Sequence, residues 1–569
     1  MDTNNAPFTK PENFENVSVN PYATGYSNYA SSPKKPPREF SVKETVFAWI
    51  SFVLAYLFCL SIPIADNPLG ALVVIVLMFV STACAVLIKG KKLKIMPVLV
   101  AISALAVSTS LIITANGFLH FFAFTYSLAA YCYFLYAISS DNIFRFTDSI
   151  VIDFFKAIFI LPFCSFPAMF IAMFSGKKNK SGKIILKILI GVGVALIPCT
   201  VILALLSYDS SFTDLLKRVF DFEAKDIFTH IVSIFFGFPV GAYVYGLFVS
   251  SSDNKCKDVV TADSCNKILP KIRVAPVITV LTAVVPILAI YVFFFVSQWQ
   301  YYISGFTGVL PKNFSHAQYA REGFFQLCTV SVINLLILVA ISMLLKRKEN
   351  KPSILLKVIS VVFSLFTLVL ISTAIAKMVM YIEQYGLTPK RVYASWFMVV
   401  LAVVFLLIIL KQFIKKLKLI VISLTVLVVM FAALSLSGVD TFIAHYNVDR
   451  YLDKTLDTVD IDAMEDLGDA AIPQLTRLAN ILDEKNDTDV MEVEYDYKLE
   501  YVEEYEYEDD KPSDYEIMYY KLAMCLQDRV YHIDGTYEKS DPTIWEFNIP
   551  RYEAERTLID AGYVEFEKE

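Results

Sequence analysis

Histidine and tryptophan are scarce in this sequence, with five His and four Trp in 569 residues. No H-E-x-x-H pair, Walker glycine loop, G-x-S-x-G elbow or Rossmann glycine run occurs. The signatures of metalloproteases, nucleotide-binding enzymes and serine hydrolases are therefore missing. Neither a catalytic residue nor a cofactor or metal site is expected. No basic stripe is interleaved with aromatics, which argues against a nucleic-acid partner. Carboxylates are absent from the long apolar runs, whereas a proton-coupled pump needs them at membrane depth. Of the nine cysteines, Cys59, Cys84, Cys132, Cys164, Cys199 and Cys328 lie in apolar segments and read as small hydrophobes. Cys256 and Cys265 share one polar loop without the spacing of a zinc knuckle. The tail has only Cys525, so no disulfide framework is expected there.

What the chain has is apolar length. Hydrophobic residues make up 56% of it, including 45 Phe and 32 Tyr, and mean hydropathy is +0.55. A soluble domain must cover its surface with charge and rarely reaches such values. The expected fold is an all-α polytopic membrane bundle with a small, mainly helical C-terminal domain. Each crossing needs about 20 apolar residues, and about eleven such runs are present. They are Thr45–Ile64, Leu69–Ile88, Ile95–Ala115, Phe118–Ile138, Ile184–Leu206, Ile231–Ser250, Val274–Val296, Phe324–Leu345, Ile354–Ala376, Val392–Leu410 and Leu419–Ser437.

Charge sets the expected orientation. Basic turns around Lys89–Lys94, Lys255–Arg273, Lys346–Lys351 and Lys411–Lys418 face the cytoplasm by the positive-inside rule. Val151–Ser175 is apolar, yet Lys177–Lys183 follow it and Pro162 and Pro167 interrupt it. It is expected to lie in the inner interface or to dip into the membrane and return, which leaves Lys177–Lys183 cytoplasmic. Residues 1–40 lack the apolar core of a leader and read as a disordered cytoplasmic arm. The bundle then occupies 41–438 and an acidic extracytoplasmic domain 439–569, with a low-complexity, Tyr-rich insertion at 487–514. On the outer side, Ser207–His230 reads as an amphipathic surface helix. In the tail, helices are expected at Ile461–Leu482, Tyr515–Val530 and Arg551–Ala561.

The stretch Met380–Phe397 stands between two apolar runs yet carries charge, and Gly386 and Pro389 place a break in it. It and its neighbours carry a resemblance. Tyr319-Ala320-Arg321-Glu322-Gly323-Phe324-Phe325, Tyr385-Gly386-Leu387-Thr388-Pro389-Lys390-Arg391 and Asn447-Val448-Asp449-Arg450-Tyr451 are similar to an uncharacterised bacterial multi-pass membrane family. It is a domain of unknown function, type 4173, with type 4153 its close relative. The resemblance implies no activity, substrate or catalytic residue.

Arg321, Glu322, Lys390 and Arg391 sit at helix mouths on the side that usually lacks cations. With Glu383, Tyr319, Tyr381 and Tyr385 they form a candidate outer-face anion site, in which Arg321 and Arg391 act as forked donors. The bland alternative is that the carboxylates neutralise the arginines and pin the helix ends. Arg391 falls in the first turn of a helix, where a cation is unfavourable, so Glu383, Glu322 or a ligand is expected beside it. His120 and Asn334 read as interhelical hydrogen-bonding groups rather than proton relays. The expected function is non-enzymatic binding, sensing or scaffolding in the cell envelope. The alternatives are a transporter or flippase for an amphipathic anion and, more weakly, a membrane-embedded transferase. Implied partners are the lipid bilayer, an anionic envelope lipid or polymer, and a protein that meets the acidic tail.

Overall fold

The computed structural model describes residues 38–62, 67–140, 150–174, 202, 206, 224–255, 270–297, 316–346, 354–494, 512–533 and 544–564. The chain divides into two units, Met1–Phe40 and Ser41–Glu569. Of the first, only Arg38–Phe40 is described, where the Arg38 guanidinium lies 5.0 Å from the Phe40 ring centre.

The helices of the second unit begin where local chemistry starts them. Ser41 and Glu44 form a capping box that opens α1 (Val42–Leu60). Pro68 at the first helical position opens α2 (Pro68–Ile88). After α3 (Ile95–Ser108) and α4 (Ser110–Ile113), the Asn116 side chain accepts from two amides to open α5 (Gly117–Ser139). Next come α6 (Ile150–Phe159), α7 (Leu161–Cys164) and α8 (Ala168–Phe174), broken around Pro162 and Pro167 and each too short to span. The longer helices resume with α9 (Ala224–Ser252), α10 (Val277–Ser297), α11 (His316–Leu344) and α12 (Ile354–Tyr385). The apolar region ends with α13 (Pro389–Phe413) and α14 (Leu419–Leu436).

Ten of the described helical segments are long and apolar enough to cross a membrane. They correspond to ten of the expected crossings; the remaining one, Ile184–Leu206, lies almost wholly outside the described residues, as do Lys177–Lys183 and most of Ser207–His230. The chain is a multi-pass membrane protein. Large apolar side chains cover the outside of the bundle, with Phe293 78% and Ile354 81% exposed, as a lipid-facing surface requires.

Lipid tails are as apolar as leucine, so close fit rather than escape from water holds such helices together. The packing of α9 follows that rule. Gly237 and Gly241, four residues apart, let its backbone meet α1, where a Cβ would lie 3.1 Å from Tyr56 Cα and 3.2 Å from Phe52 Cα respectively. Gly246 is tighter still, since a Cβ there would lie 2.4 Å from the Pro162 carbonyl oxygen. Asn334 behaves as expected: its amide donates to Thr367 at 2.9 Å, and its oxygen accepts from Tyr291 at 2.6 Å. One side chain thereby ties α10, α11 and α12. Cys164, expected to be a small hydrophobe, is instead disulfide-bonded.

The C-terminal region continues with α15 (Val439–Leu452), α16 (Ile461–Glu465), α17 (Ile472–Asn486), α18 (Asp514–Ile533) and α19 (Ile549–Asp560). The single helix predicted over Ile461–Leu482 is thus broken. Gly468 adopts φ +58° and Pro473 opens the second piece. Residues 495–511 of the acidic insertion lie outside the described residues. Leu475, Leu478, Leu522 and Leu526 are fully buried in a core shared with Leu119, Leu387 and Leu434 of the bundle. Each gains roughly 1.5–3 kcal/mol by leaving water. The tail is therefore packed onto one end of the bundle, the end where α5 begins and α12 finishes.

Gly246→Ala tests the closest approach. It should lower the thermal midpoint of the detergent-solubilised protein, by an overpacking cost of about 1–3 kcal/mol. Gly117→Ala, with nothing within 4 Å of the added carbon, should leave it nearly unchanged.

Candidate functional site

A helix leaves its last four carbonyls without intrahelical partners, and where water is scarce something else must satisfy them. At the end of α12 the Gly386 amide donates to Ile382 O at 2.9 Å, and two arginines from two other helices do the rest. Arg450, on α15, donates to Ile382 O at 3.1 Å and Glu383 O at 2.8 Å, and also to Thr455 O at 2.6 Å. Arg391, on α13, donates to Tyr385 O at 2.8 Å and Gly386 O at 2.6 Å. Its guanidinium carbon also lies 4.3 Å from the Tyr381 ring centre, within cation–π range.

The next residue is held by a side-chain amide. Asn447 Oδ1 accepts from Leu387 N at 2.7 Å, while Asn447 Nδ2 donates to Leu387 O at 2.8 Å. Both backbone groups of Leu387 are paired by one buried side chain, sixty positions away in sequence. This explains Gly386 on two counts. Its φ is +73°, and a Cβ would lie 2.5 Å from Asn447 Oδ1. Thr388 then caps α13, accepting from Arg391 N at 3.4 Å, and Pro389 takes the first helical position.

A second polar cluster joins the same tail to the start of α5. Asp440, 2% exposed, accepts from Thr114 Oγ1 at 2.6 Å and Asn116 Nδ2 at 3.3 Å. The Tyr393 hydroxyl faces this carboxylate without a well-aligned hydrogen bond. Asn548, just before α19, donates to Thr114 O at 2.9 Å and Leu111 O at 3.3 Å. His120 Nε2 lies 2.7 Å from the same Thr114 carbonyl. His120 therefore braces a turn rather than bridging two spanning helices. Burial pushes the Asp440 carboxyl above its usual range, and the bonds from Thr114 and Asn116 oppose that push.

Of the residues expected to form an anion site, Tyr381, Tyr385 and Arg391 do come together. The guanidinium is committed to carbonyls, and no ion pair joins it to Glu383, whose contribution is a backbone oxygen offered to Arg450. Lys390 and Glu383 are exposed. Tyr319, Arg321 and Glu322 lie in the first turns of α11, and their side chains fall outside the described ones. The cation that looked misplaced at the start of α13 has reached back to the C-terminal end of α12, where positive charge is favourable. Asn447 and Arg450 were visible as a motif, but nothing local pairs them with Leu387 and Ile382. Lys377, buried at 7% exposure, was missed because the predicted run ended at Ala376.

Two outcomes test these contacts. Asn447→Ala strands both polar groups of Leu387, and each buried unpaired group costs about 1–3 kcal/mol. The thermal midpoint of the full chain should drop sharply, with Asn447→Gln giving little rescue. For Asp440, the folded chain holds a proton more tightly than the unfolded one. Its contribution is therefore greatest below the ordinary carboxylate value of about 4 and declines as pH rises from there through the raised folded value. Asp440→Asn should flatten that part of the stability–pH curve.

The joined segments recur in other proteins. A family model described as "Domain of unknown function (DUF4153)" matches residues 101–478. The match spans both sides of the joint and falls on the second of the two related types that the motifs resemble. No curated protein and no solved structure matches the chain. With most of its length covered by that model, the chain belongs to the DUF4153 family.

Proposed function

We propose that this is a non-enzymatic envelope protein whose C-terminal helices bind or sense an envelope component and pass the event to the bundle through the α12–α13 turn. The observation that carries the reading is the commitment of Arg391, Arg450 and Asn447 to the backbone of that turn. Such a joint transmits displacement, because Asn447 and Leu387 cannot part without stranding buried polar groups. A transporter or flippase for an amphipathic anion would need Arg391 at liberty to grip its cargo, and its guanidinium already serves two carbonyls and a ring. The outer-face anion site is therefore narrowed to Lys390, with Arg321, Glu322 and Tyr319 nearby in sequence pattern only.

The orientation in this reading puts the tail outside the cell and the N-terminus within. Lys91 and Lys94 cap the end of α5 opposite the tail, donating to Ser139 O at 2.6 Å and Ser140 O at 2.5 Å. Lys89 pairs there with Glu44 at 2.8 Å. That lysine bias favours a cytoplasmic location for this end. The disulfide at Cys164, at the same end, pulls the other way, since cytoplasmic thiols are kept reduced.

Labelling decides the orientation. Thr488→Cys in intact cells should react with a membrane-impermeant maleimide. Cys525 should stay silent, because burial, with Glu465 and Asp528 adding to it, pushes its thiol up to about 12. Protection of Thr488→Cys would reverse the topology. A second assay addresses the transport reading: proteoliposomes containing the protein should not speed the flipping of a fluorescent anionic phospholipid. Acceleration that disappears in Arg391→Gln would replace the sensor with a flippase.

A further inference from the structure

The tail meets the mouth of the bundle again through the short turn Ile544–Glu546 and the start of α19. Here the exposed side chains are apolar. Ile544 is 71% exposed and Trp545 49%, and Phe547 and Tyr552 are exposed as well. The Phe547 and Tyr552 rings lie 6.2 Å apart. Pro550, Ala554 and Leu558 bury the other face of α19, so Tyr552 stands on the side turned away from the tail's core. In α17 and α18, by contrast, the exposed side chains Ile481, Tyr515 and Tyr531 are widely separated in sequence. Single exposed apolar groups are ordinary on any protein. Four within nine consecutive positions mark a surface that something covers.

Contacts with the bundle fix the depth of this patch. A Cβ on Gly70 would lie 3.9 Å from Trp545 Cβ and 3.7 Å from Ser61 Oγ. Trp545 is therefore set against the turn between α1 and α2, beside a residue two positions inside the Pro68 that opens α2. The 21 residues of α2 run about 31 Å at 1.5 Å per residue, close to a hydrocarbon core of about 30 Å. Pro68 then stands near the hydrocarbon boundary and Gly70 about 3 Å within it. Asn548 holds the same segment down at the α4–α5 turn, through its bonds to Leu111 O and Thr114 O. Rings with an apolar body and one polar edge, as in Trp545 and Tyr552, suit the zone where acyl chains meet headgroups. Water would leave four large apolar side chains hydrated. A soluble partner would have to reach a patch level with the first turn of a spanning helix.

We propose that residues 544–552 are an interfacial anchor that seats the tail in the lipid leaflet, with the Trp545 indole at the boundary between acyl chains and headgroups. The tail is then held at two places, by hydrogen bonds at the α12–α13 turn and by lipid at this segment. The anchor goes beyond the sensing role and stands whether or not the tail binds an envelope component.

The chain has four tryptophans, so Trp49→Phe, Trp299→Phe and Trp396→Phe together leave Trp545 as the sole indole. The full chain is placed in phosphatidylcholine nanodiscs, with lipids brominated either near the headgroup end of the acyl chain or near its methyl end. Trp545 should lose most of its fluorescence to the first lipid and less to the second, and aqueous iodide should quench it little. Glu484→Trp, at an exposed position on α17 and combined with Trp545→Phe, should show the reverse, quenched by iodide and indifferent to bromine. Quenching of Trp545 by iodide and not by bromine would overturn the proposal, because the patch then faces water. Quenching by neither would overturn it in favour of a protein cover, such as a second copy of this chain. Should the three replacements unfold the chain, the unaltered protein gives the answer. A phosphatidylcholine carrying a photoactivatable diazirine high on its acyl chain should label residues 544–552, read by mass spectrometry. Labelling confined to the spanning helices would overturn the anchor.

Discussion

The carbonyl groups at the C-terminal end of α12 are the constraint on which the architecture depends. A long apolar helix that stops near a membrane face leaves several acceptors exposed just where water becomes scarce. Arg391 and Arg450 reach three of them, at Ile382, Glu383 and Tyr385, and also Gly386 O just beyond the helix, while Ile382 O accepts from Gly386 N as well. Because Arg450 belongs to α15, satisfying the membrane helix also fixes where the tail must sit. Asn447, on the same helix, then fixes Leu387. The tail's apolar core grows outward from this point, taking in Leu387 and Leu434.

The opposite end of the bundle applies the same device with lysine. Lys91 and Lys94 reach the last carbonyls of α5, and Lys43 reaches Ile88 O at the end of α2. Cations at helix C-termini are favoured by the helix dipole as well as by direct hydrogen bonding. The two ends differ in geometry. A guanidinium offers a rigid fork and spans two carbonyls at once, whereas each lysine is a compact charge on a flexible stem. Arginine stands where a second structural layer must be held in register, and lysine where loops close the helix pairs.

The spanning helices were legible in the sequence because their signal is length and apolarity: nine expected runs match described spans within a few residues, while α12 runs on nine residues past the expected Ala376 to Tyr385. The break in Val151–Ser175 was legible from Pro162 and Pro167 for a similarly local reason. Other features depend on distance. Arg391 was expected to require an anion, since its position in the first turn of α13 was visible and the reach of its side chain back to α12 was not. Asn447 and Leu387 stand sixty positions apart, and no local pattern announces that an amide will pair both groups of one peptide unit. The split of α16 from α17 turned on a positive φ at Gly468, inside a stripe whose apolar spacing ran through unbroken.

Hydrogen exchange at the Leu387 amide tests most directly the claim that the tail is clamped to the bundle at this turn. Among the described residues, that amide donates to the side chain of Asn447. In the full chain it should exchange as slowly as the core amides of α15, because it opens only when the tail lifts. If it exchanges at the rate of a solvated turn while α15 stays protected, the clamp is not closed and the account fails.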